Sequence, residues 1–203
     1  GFFPNIGEGT QAAYNSVDAP LWFFWALQQY AYINDRRKEV WQAYSHVMRS
    51  ILENFSEGVS NVRMDSNFLL WQGEDGKALT WMDAVIDGNP VTARKGYAVE
   101  INSLWYNAVM FYRELAKLQC EDGEIAKWDE FAANFPTNFK ATFWSKEIGY
   151  LADCVDGSNK DFSVRCNMIF AASLEYSPIS PKIRQLIVEK VRQELLTPKG
   201  LRT

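Results

Sequence analysis

Cysteine and histidine are scarce in this sequence, and neither occurs in a pattern that binds a metal. The 203 residues include three cysteines and a single histidine, His46. Cys120, Cys154 and Cys166 are odd in number and form no C-x-x-C pair, so no zinc site can be assembled from them. We therefore expect no metal and no other cofactor. We also expect the thiols to be free, which favours a reducing compartment and hence the cytoplasm.

A basic surplus and long apolar runs are also missing. Lys and Arg total 21 against 25 Asp and Glu, which gives a formal net charge of −4. This balance argues against a nucleic-acid-binding surface and against a polybasic contact with a membrane. The richest apolar run, residues 21–27, is far shorter than the roughly 20 residues that a membrane-spanning helix needs. We expect neither nucleic acid nor membrane as a partner.

Aromatic residues, by contrast, are plentiful. Hydrophobic residues make up 47% of the chain and charged residues 23%, which excludes a disordered chain and allows one folded domain over residues 1–203. Aromatic residues account for 15% of the sequence. Their rings stack on the C–H faces of sugars, but they also fill protein cores, so the aromatic content is only a hint of carbohydrate binding.

Helical periodicity dominates the chain. Residues 17–33 are apolar on nearly every side and predict a buried helix with Asn15 or Ser16 as its cap. A stripe with i, i+3, i+4 spacing over residues 40–55 predicts a second helix, and the two form an αα-hairpin. Further helices are predicted over residues 99–118, from Asp122 until Pro136 interrupts the pattern, over 165–174, and after Ser180, the N-cap that precedes Pro181. Residues 149–160 are predicted to be loop.

These elements predict an all-α chain of successive antiparallel hairpins. Such hairpins either stack into an open solenoid or close into an (α/α) barrel, and periodicity does not decide between the two. Residues 57–98 differ from the rest because they are rich in glycine and contain two short alternating runs, near residues 61–64 and 68–71, that could be strands. A long loop-rich segment inside a helical domain is usually functional, so we expect residues 57–98 to form part of an active site.

The polar and aromatic side chains in and near this segment are those that glycosidic bond cleavage requires. A glycosidase needs a proton donor, a second carboxylate on the opposite face, polar groups for the hydroxyls and aromatic walls. Asp83 lies between Met82 and Ala84, surroundings that favour a protonated carboxyl. Spacing alone favours Asp83 as a helix N-cap and the tryptophans as core residues, and it allows the other acidic residues to lie in helix first turns. These acidic residues and tryptophans are Asp18, Glu100, Trp81 and Trp105.

Four blocks of the sequence, in order, resemble the amylo-α-1,6-glucosidase domain of glycogen debranching enzymes. They are residues 14–24 (YNSVDAPLWFF), 79–84 (LTWMDA), 99–108 (VEINSLWYNA) and 196–203 (LTPKGLRT). Residues 3–5 and 161–167 are similar to further family segments. The family commonly has proline where Ala93 and Cys166 stand, and Ala93 is expected to loosen the loop that carries Arg94.

The resemblance implies a six-hairpin (α/α) barrel of the glucoamylase type. The family hydrolyses α-1,6-linked glucose at glycogen branch points with inversion, which makes a branched α-glucan (glycogen or limit dextrin) the expected partner. By resemblance Asp83 is the general acid, and Asp18 and Arg94 bind the glucose hydroxyls. The remaining substrate-binding residues that the resemblance implies are Trp81, Glu100, Asn102, Trp105, Arg165 and Asn167.

The family's catalytic base lies downstream of the block that ends at Thr203. We therefore expect this chain to be the N-terminal part of a debranching-type domain, an incomplete barrel that is inactive alone and self-associates through its open edge. Two alternatives stay open at this point. One is a glycosidase of another α-glucoside, such as trehalose. The other is a non-catalytic helical module that binds carbohydrate or serves as a scaffold.

Overall fold

A helical hairpin opens the described part of the chain. The computed structural model describes Phe3, Tyr14 and residues 16–203, so the predicted cap Asn15 lies outside the described residues. Helix α1 spans Asp18–Ile33 and α2 spans Arg37–Glu57. The other predicted cap, Ser16, accepts a hydrogen bond from the Ala19 backbone N–H at 3.3 Å. The connection turns tightly because Asp35 adopts a left-handed conformation with φ of 51°. The predicted hairpin is confirmed.

Helix α3, Val99–Leu118, is the centre of the fold. Most of its side chains are buried, and it packs against α1, α2 and the later helix α6, Ile169–Ser173. A helix that is covered on nearly every side must be apolar or must pair its polar groups. The predicted helix over these residues is confirmed.

The helical segment after α3 is interrupted at a different position from the one that the sequence predicts. Helix α4 spans Asp122–Ala126, and α5 runs without interruption over Asp129–Phe143 with Pro136 inside it. The predicted interruption at Pro136 is therefore wrong, and the break falls at residues 127–128. An internal proline costs a helix about 3 kcal/mol. The column of buried rings along α5 offsets this cost, and its members are Phe131, Phe135, Phe139 and Phe143.

Short antiparallel strands connect the helices, so the all-α prediction is corrected to a mostly helical fold with small sheets. Residues 57–98 contain two hairpins, β1 (Val62–Met64) with β2 (Leu70–Gln72) and β3 (Val85–Ile86) with β4 (Asn89–Pro90), and then β5, Tyr97–Ala98. The pairing of β1 with β2 confirms the two short strands predicted there.

The predicted loop at residues 149–160 is also corrected to strands. It holds β7 (Tyr150–Leu151), which pairs with β6 (Trp144–Ser145), then β8 (Cys154–Asp156) and most of β9 (Asn159–Asp161). A three-stranded sheet of order β5-β8-β9 joins the two loop regions. Gly96 permits this pairing, because a Cβ at that position would lie 2.3 Å from the carbonyl oxygen of Val155.

The last helices follow the sequence prediction closely. The predicted helix at residues 165–174 consists of a short 3-10 turn, Cys166–Met168, followed by α6. Helix α7 spans Pro181–Leu195, and the Ser180 hydroxyl accepts a hydrogen bond from the Ile183 N–H, as an N-cap does. A final hairpin pairs β10, Leu196–Thr197, with β11, Gly200–Leu201. Among the described residues, no helix combines the length and apolarity needed to cross a membrane.

Candidate active site

A cavity of about 420 Å³ opens between the first turns of α1 and α3, the segment before β3, and α6. The walls that the described residues form are mainly apolar, with two carboxylates among them. The side chains that line it are Asp18, Trp22, Trp81, Glu100, Leu104, Cys166, Ile169, Phe170 and Leu201. Trp22 packs edge-on against Phe170 with ring centroids 5.4 Å apart, which fixes one wall. The combination of apolar walls with a few polar groups is typical of a small-molecule site.

Asp18 reaches this cavity from the first turn of α1. It is buried, and the Ser16 hydroxyl donates a hydrogen bond to its Oδ1 at 2.5 Å. The N–H of the neighbouring Val17 donates to the carbonyl oxygen of Leu79 at 2.9 Å. The start of α1 is therefore joined to the segment that carries Trp81, and two walls of the cavity are held together by the backbone.

Glu100 enters the cavity from the first turn of α3 and is held from behind by Arg94. Both carboxylate oxygens of Glu100 accept hydrogen bonds from the Arg94 guanidinium, one of them at 2.6 Å from Nη2. Both side chains are buried. Burial raises the pKa of the Glu100 carboxyl, an effect that Arg94 offsets only in part. Burial alone would lower the pKa of Arg94, but the carboxylates of Glu100 and Asp153 raise it overall.

Arg94 does not reach the cavity surface. Only 4% of the residue is exposed. Its Nε donates to the Asp153 carboxylate, and Nη1 and Nη2, which bind Glu100, also donate to the Thr80 hydroxyl and the Asp153 carbonyl. Because these donors are engaged by the protein, Arg94 supports Glu100 from beneath. Its expected place beside the glucose hydroxyls is corrected accordingly.

Asp153 is the functional-site residue that sequence reasoning missed. It is 1% exposed and lies between β7 and β8. Its Oδ2 accepts from Nε of Arg94 at 2.8 Å and from Nη1 of Arg165 at 2.7 Å, while its Oδ1 accepts from Nδ2 of Asn167 at 2.7 Å. The available signal was a single carboxylate inside the apolar run Leu151-Ala152-Asp153-Cys154-Val155. We refer to Arg94, Glu100, Asp153, Arg165 and Asn167 as the Asp153 cluster.

The Asp153 cluster extends to the cavity wall through Asn167. The indole N–H of Trp81 donates to Oδ1 of Asn167 at 2.9 Å. Trp81 is 40% exposed, so one part of its ring lines the cavity while its nitrogen is fixed behind the wall. At the far side of the cluster, burial would raise the pKa of Asp161, but the hydrogen bond from Arg165 helps lower it to about 2.

Asp83 lies in an irregular stretch just before β3, and its side chain is exposed. The N-cap alternative is wrong, because no helix begins there. The apolar surroundings expected from its neighbours in sequence are not formed around it. Asp83 is two residues beyond Trp81 and is not one of the cavity-lining residues.

Comparison with known proteins assigns the family. A model of the amylo-alpha-1,6-glucosidase family matches residues 1–203. The chain belongs to this family. The resemblance drawn from the four sequence blocks is confirmed. No curated protein sequence matches the chain.

Solved structures add evidence about the fold. The chain is similar to the crystal structure of a GH78 family rhamnosidase of Bacillus sp. GL1, with a TM-score of 0.61 and 18% sequence identity. The match covers 95% of this chain and 19% of the rhamnosidase chain. At that identity the likeness concerns the fold alone, and it supports a mainly helical architecture of a kind found in a glycoside hydrolase.

The substrate-binding residues implied by the amylo-alpha-1,6-glucosidase family fall into three spatial groups. Asp18, Trp81 and Glu100 line the cavity. Arg94, Arg165 and Asn167 lie behind its wall in the Asp153 cluster. Asn102 and Trp105, which were expected to line the pocket, lie in the core and form the third group.

The core positions of Asn102 and Trp105 follow from the helix they share. Trp105 is fully buried, and its ring centroid is 5.7 Å from those of Trp128 and Phe131. The Asn102 amide pairs with the backbone N–H and carbonyl of Leu70, at 2.8 and 3.1 Å, and so holds β2 against α3. The core-packing alternative is therefore the correct one for Trp105.

Replacing Arg94 tests the ion pairing beneath the cavity. In Arg94→Met, the carboxylates of Glu100 and Asp153 lose their shared cation while they stay buried. Loss of one partner of a buried pair costs about 3–5 kcal/mol, and we expect a decrease of that size in the free energy of unfolding, measured by urea denaturation. The matched control is Lys95→Met, which removes an exposed pair with Asp75 and should change stability little. Equal effects of the two substitutions would contradict the account.

Proposed function

We propose that the protein containing this chain hydrolyses α-1,6-linked glucose at the branch points of an α-glucan, such as glycogen or limit dextrin. The observation that carries this proposal is the family match over residues 1–203. We further propose that the described helices form part of a six-hairpin (α/α) barrel, with residues 57–98 at its active-site mouth. A glycogen substrate would place this activity in the cytoplasm and in glycogen breakdown.

The chemistry of the cavity supports a glucosyl unit as its occupant. Trp22 and Trp81 offer aromatic surface, which suits the C–H faces of a pyranose ring. The carboxylates of Asp18 and Glu100 accept hydrogen bonds from hydroxyls. Since Arg94 engages both oxygens of Glu100, it keeps that carboxylate in one orientation while leaving lone pairs for a sugar hydroxyl.

Asp83 is proposed as the general acid that protonates the departing glycosidic oxygen. Two residues of extended chain span at most about 7 Å, so Asp83 is within that distance of the cavity-lining Trp81 along the backbone. An inverting glycosidase pairs such an acid with a base about 6.5–9.5 Å away, across the sugar. We assign the base to residues beyond Thr203, where the resemblance places it, because Arg94 holds Glu100 in place and Asp18 is assigned to the hydroxyls.

Asp83→Asn in the full-length protein tests the proposed acid. The amide cannot donate the required proton, so turnover of branched limit dextrin should fall about 10²–10⁴-fold with little change in thermal stability. The measurement is glucose release. Asp87→Asn is the matched control, because Asp87 is also exposed, lies at the turn of the β3–β4 hairpin and has a φ of 50°, a conformation that asparagine tolerates.

Three results would decide against the proposal. Undiminished turnover in Asp83→Asn would exclude Asp83 as the acid. Hydrolysis of trehalose without any action on limit dextrin would replace the proposed linkage by another. The absence of any glycosidase activity in the full-length protein would favour a carbohydrate-binding or scaffold role.

The isolated 203-residue chain should release no measurable glucose from limit dextrin. Protonation of the leaving oxygen does not suffice when the water on the opposite face has no base. The cavity-lining Leu201 is also exposed, as are Trp25, which packs against the cavity-lining Trp22, and Leu196, which pairs with Leu201. Contiguous apolar surface promotes association, so we expect dimers or larger species by size-exclusion chromatography with light scattering. A 23.3 kDa monomer at high concentration, or measurable glucose release, would contradict this expectation.

A further inference from the structure

The three residues that precede Asp83 are each held by a side chain from another part of the fold. Nη1 of Arg94 donates to the Thr80 hydroxyl at 3.3 Å. The Trp81 indole N–H donates to Oδ1 of Asn167 at 2.9 Å. Nδ2 of Asn167 lies 3.4 Å from the sulfur of Met82. Asp83 itself is exposed, so its position depends on this short, anchored stretch.

Both anchoring side chains are bound by the same carboxylate. Asp153 accepts from Nε of Arg94 at 2.8 Å and from Nδ2 of Asn167 at 2.7 Å. Asp153 is fixed through its own backbone, because its N–H donates to the carbonyl of Asp161 at 2.7 Å and its carbonyl accepts from the N–H of Val99 at 3.0 Å. The backbone thus fixes a buried charge at the point where the two anchors meet.

The charge of Asp153 also determines which way the Asn167 amide faces. An ionised carboxylate only accepts hydrogen bonds, and an indole N–H only donates. Asn167 can satisfy both neighbours in just one orientation, with Nδ2 toward Asp153 and Oδ1 toward Trp81. An amide in place of the carboxylate could both donate and accept, and the orientation of Asn167 would no longer be selected.

We propose that Asp153 is a positioning residue for the general acid: through Arg94 and Asn167 it holds the stretch 80–82, and thereby places Asp83 against the glycosidic oxygen. This inference rests on the proposed role of Asp83. Asp153 touches no reacting atom in this scheme. Its effect should therefore appear only where proton donation by Asp83 limits the rate.

The test compares two substrates in the full-length protein. Branched limit dextrin has a leaving group that requires protonation, whereas fluoride leaves α-glucosyl fluoride without it. Misplacing a catalytic group by about 1 Å can cost about 10²-fold, so Asp153→Asn should lower kcat about 10- to 100-fold on limit dextrin. On α-glucosyl fluoride kcat should change less than about threefold, since the acid contributes little there, and KM should change little on either substrate.

Asp161→Asn is the matched control for Asp153→Asn. Asp161 also accepts a hydrogen bond from Arg165, at 2.6 Å, and its carboxylate is bonded to neither Arg94 nor Asn167 in the described structure. Its substitution should leave kcat unchanged on both substrates. If Asp153→Asn does not fold, Asn167→Leu breaks the same connection to Trp81 and should produce the same selective loss on limit dextrin.

A spectroscopic measurement makes the positioning role testable apart from activity. The Trp81 indole ¹H–¹⁵N resonance, identified as the signal that disappears in Trp81→Phe, should shift in Asp153→Asn and stay in place in Asp161→Asn. An unshifted Trp81 signal in Asp153→Asn, an equal loss of kcat on both substrates, or full activity on limit dextrin would each overturn the proposal.

Failure of this inference differs from failure of the proposed function. If Asp83→Asn shows the selective loss on limit dextrin and Asp153→Asn does not, the positioning role alone is wrong. If Asp83→Asn also keeps full turnover of limit dextrin, the proposed acid is wrong and the positioning of an acid falls with it.

Discussion

The ion pairing between Arg94 and the carboxylates of Glu100 and Asp153 is the interaction on which the cavity depends. Charges removed from water are tolerated only when partners of opposite sign and further hydrogen bonds surround them. Arg94 lies on the irregular stretch between β4 and β5, Glu100 begins α3, and Asp153 precedes β8. Glu100 is six residues from Arg94 in sequence, whereas Asp153 is 59 residues away. The alignment of these segments is stabilised because both buried carboxylates share the guanidinium of Arg94.

Helix α3 contributes side chains both to the cavity and to the core. Successive residues of an α-helix point about 100° apart, so one helix can present different side chains to opposite surroundings. Glu100 and Leu104 line the cavity. Asn102 and Trp105 face the packed interior, where the asparagine amide holds β2 and the indole packs against Trp128 and Phe131. The packing of α3 in the core therefore also holds its cavity-lining side chains in place.

Periodicity predicted the long helices well because burial imposes a repeated pattern along them. Helices α2, α3 and α7 follow their apolar stripes, and α1 follows a run that is apolar on nearly every side. Ser180 with Pro181 marks the start of α7 correctly. The interruption predicted at Pro136 is wrong because the prediction considered only the effect of proline on the helical backbone. It did not include the buried phenylalanine rings that pack along α5. The strands β7 to β9 are too short for a period to emerge. In addition, β8 depends on pairing with β5 across more than fifty residues of sequence.

The site was only partly predictable for a related reason. The family resemblance identified Asp18, Trp81 and Glu100 at the cavity, but a resemblance does not distinguish a side chain at the surface of a site from one behind it. Arg94 and Asn167 lie behind the wall, and Trp105 lies in the core. Asp153 lies outside the four blocks, and its importance arises from contacts with residues 59 and 14 positions away in sequence.

The central claim is that this cavity receives a glucosyl unit between its aromatic walls, and a crystal structure tests it most directly. The full-length protein would be crystallised with 1-deoxynojirimycin, a glucose-configured inhibitor. The account predicts the ring in the cavity beside Trp22 and Trp81, with hydroxyls bonded to Asp18 and Glu100 and with Asp83 facing the position of the anomeric carbon. An inhibitor bound at another site, with the cavity unoccupied, would contradict the account.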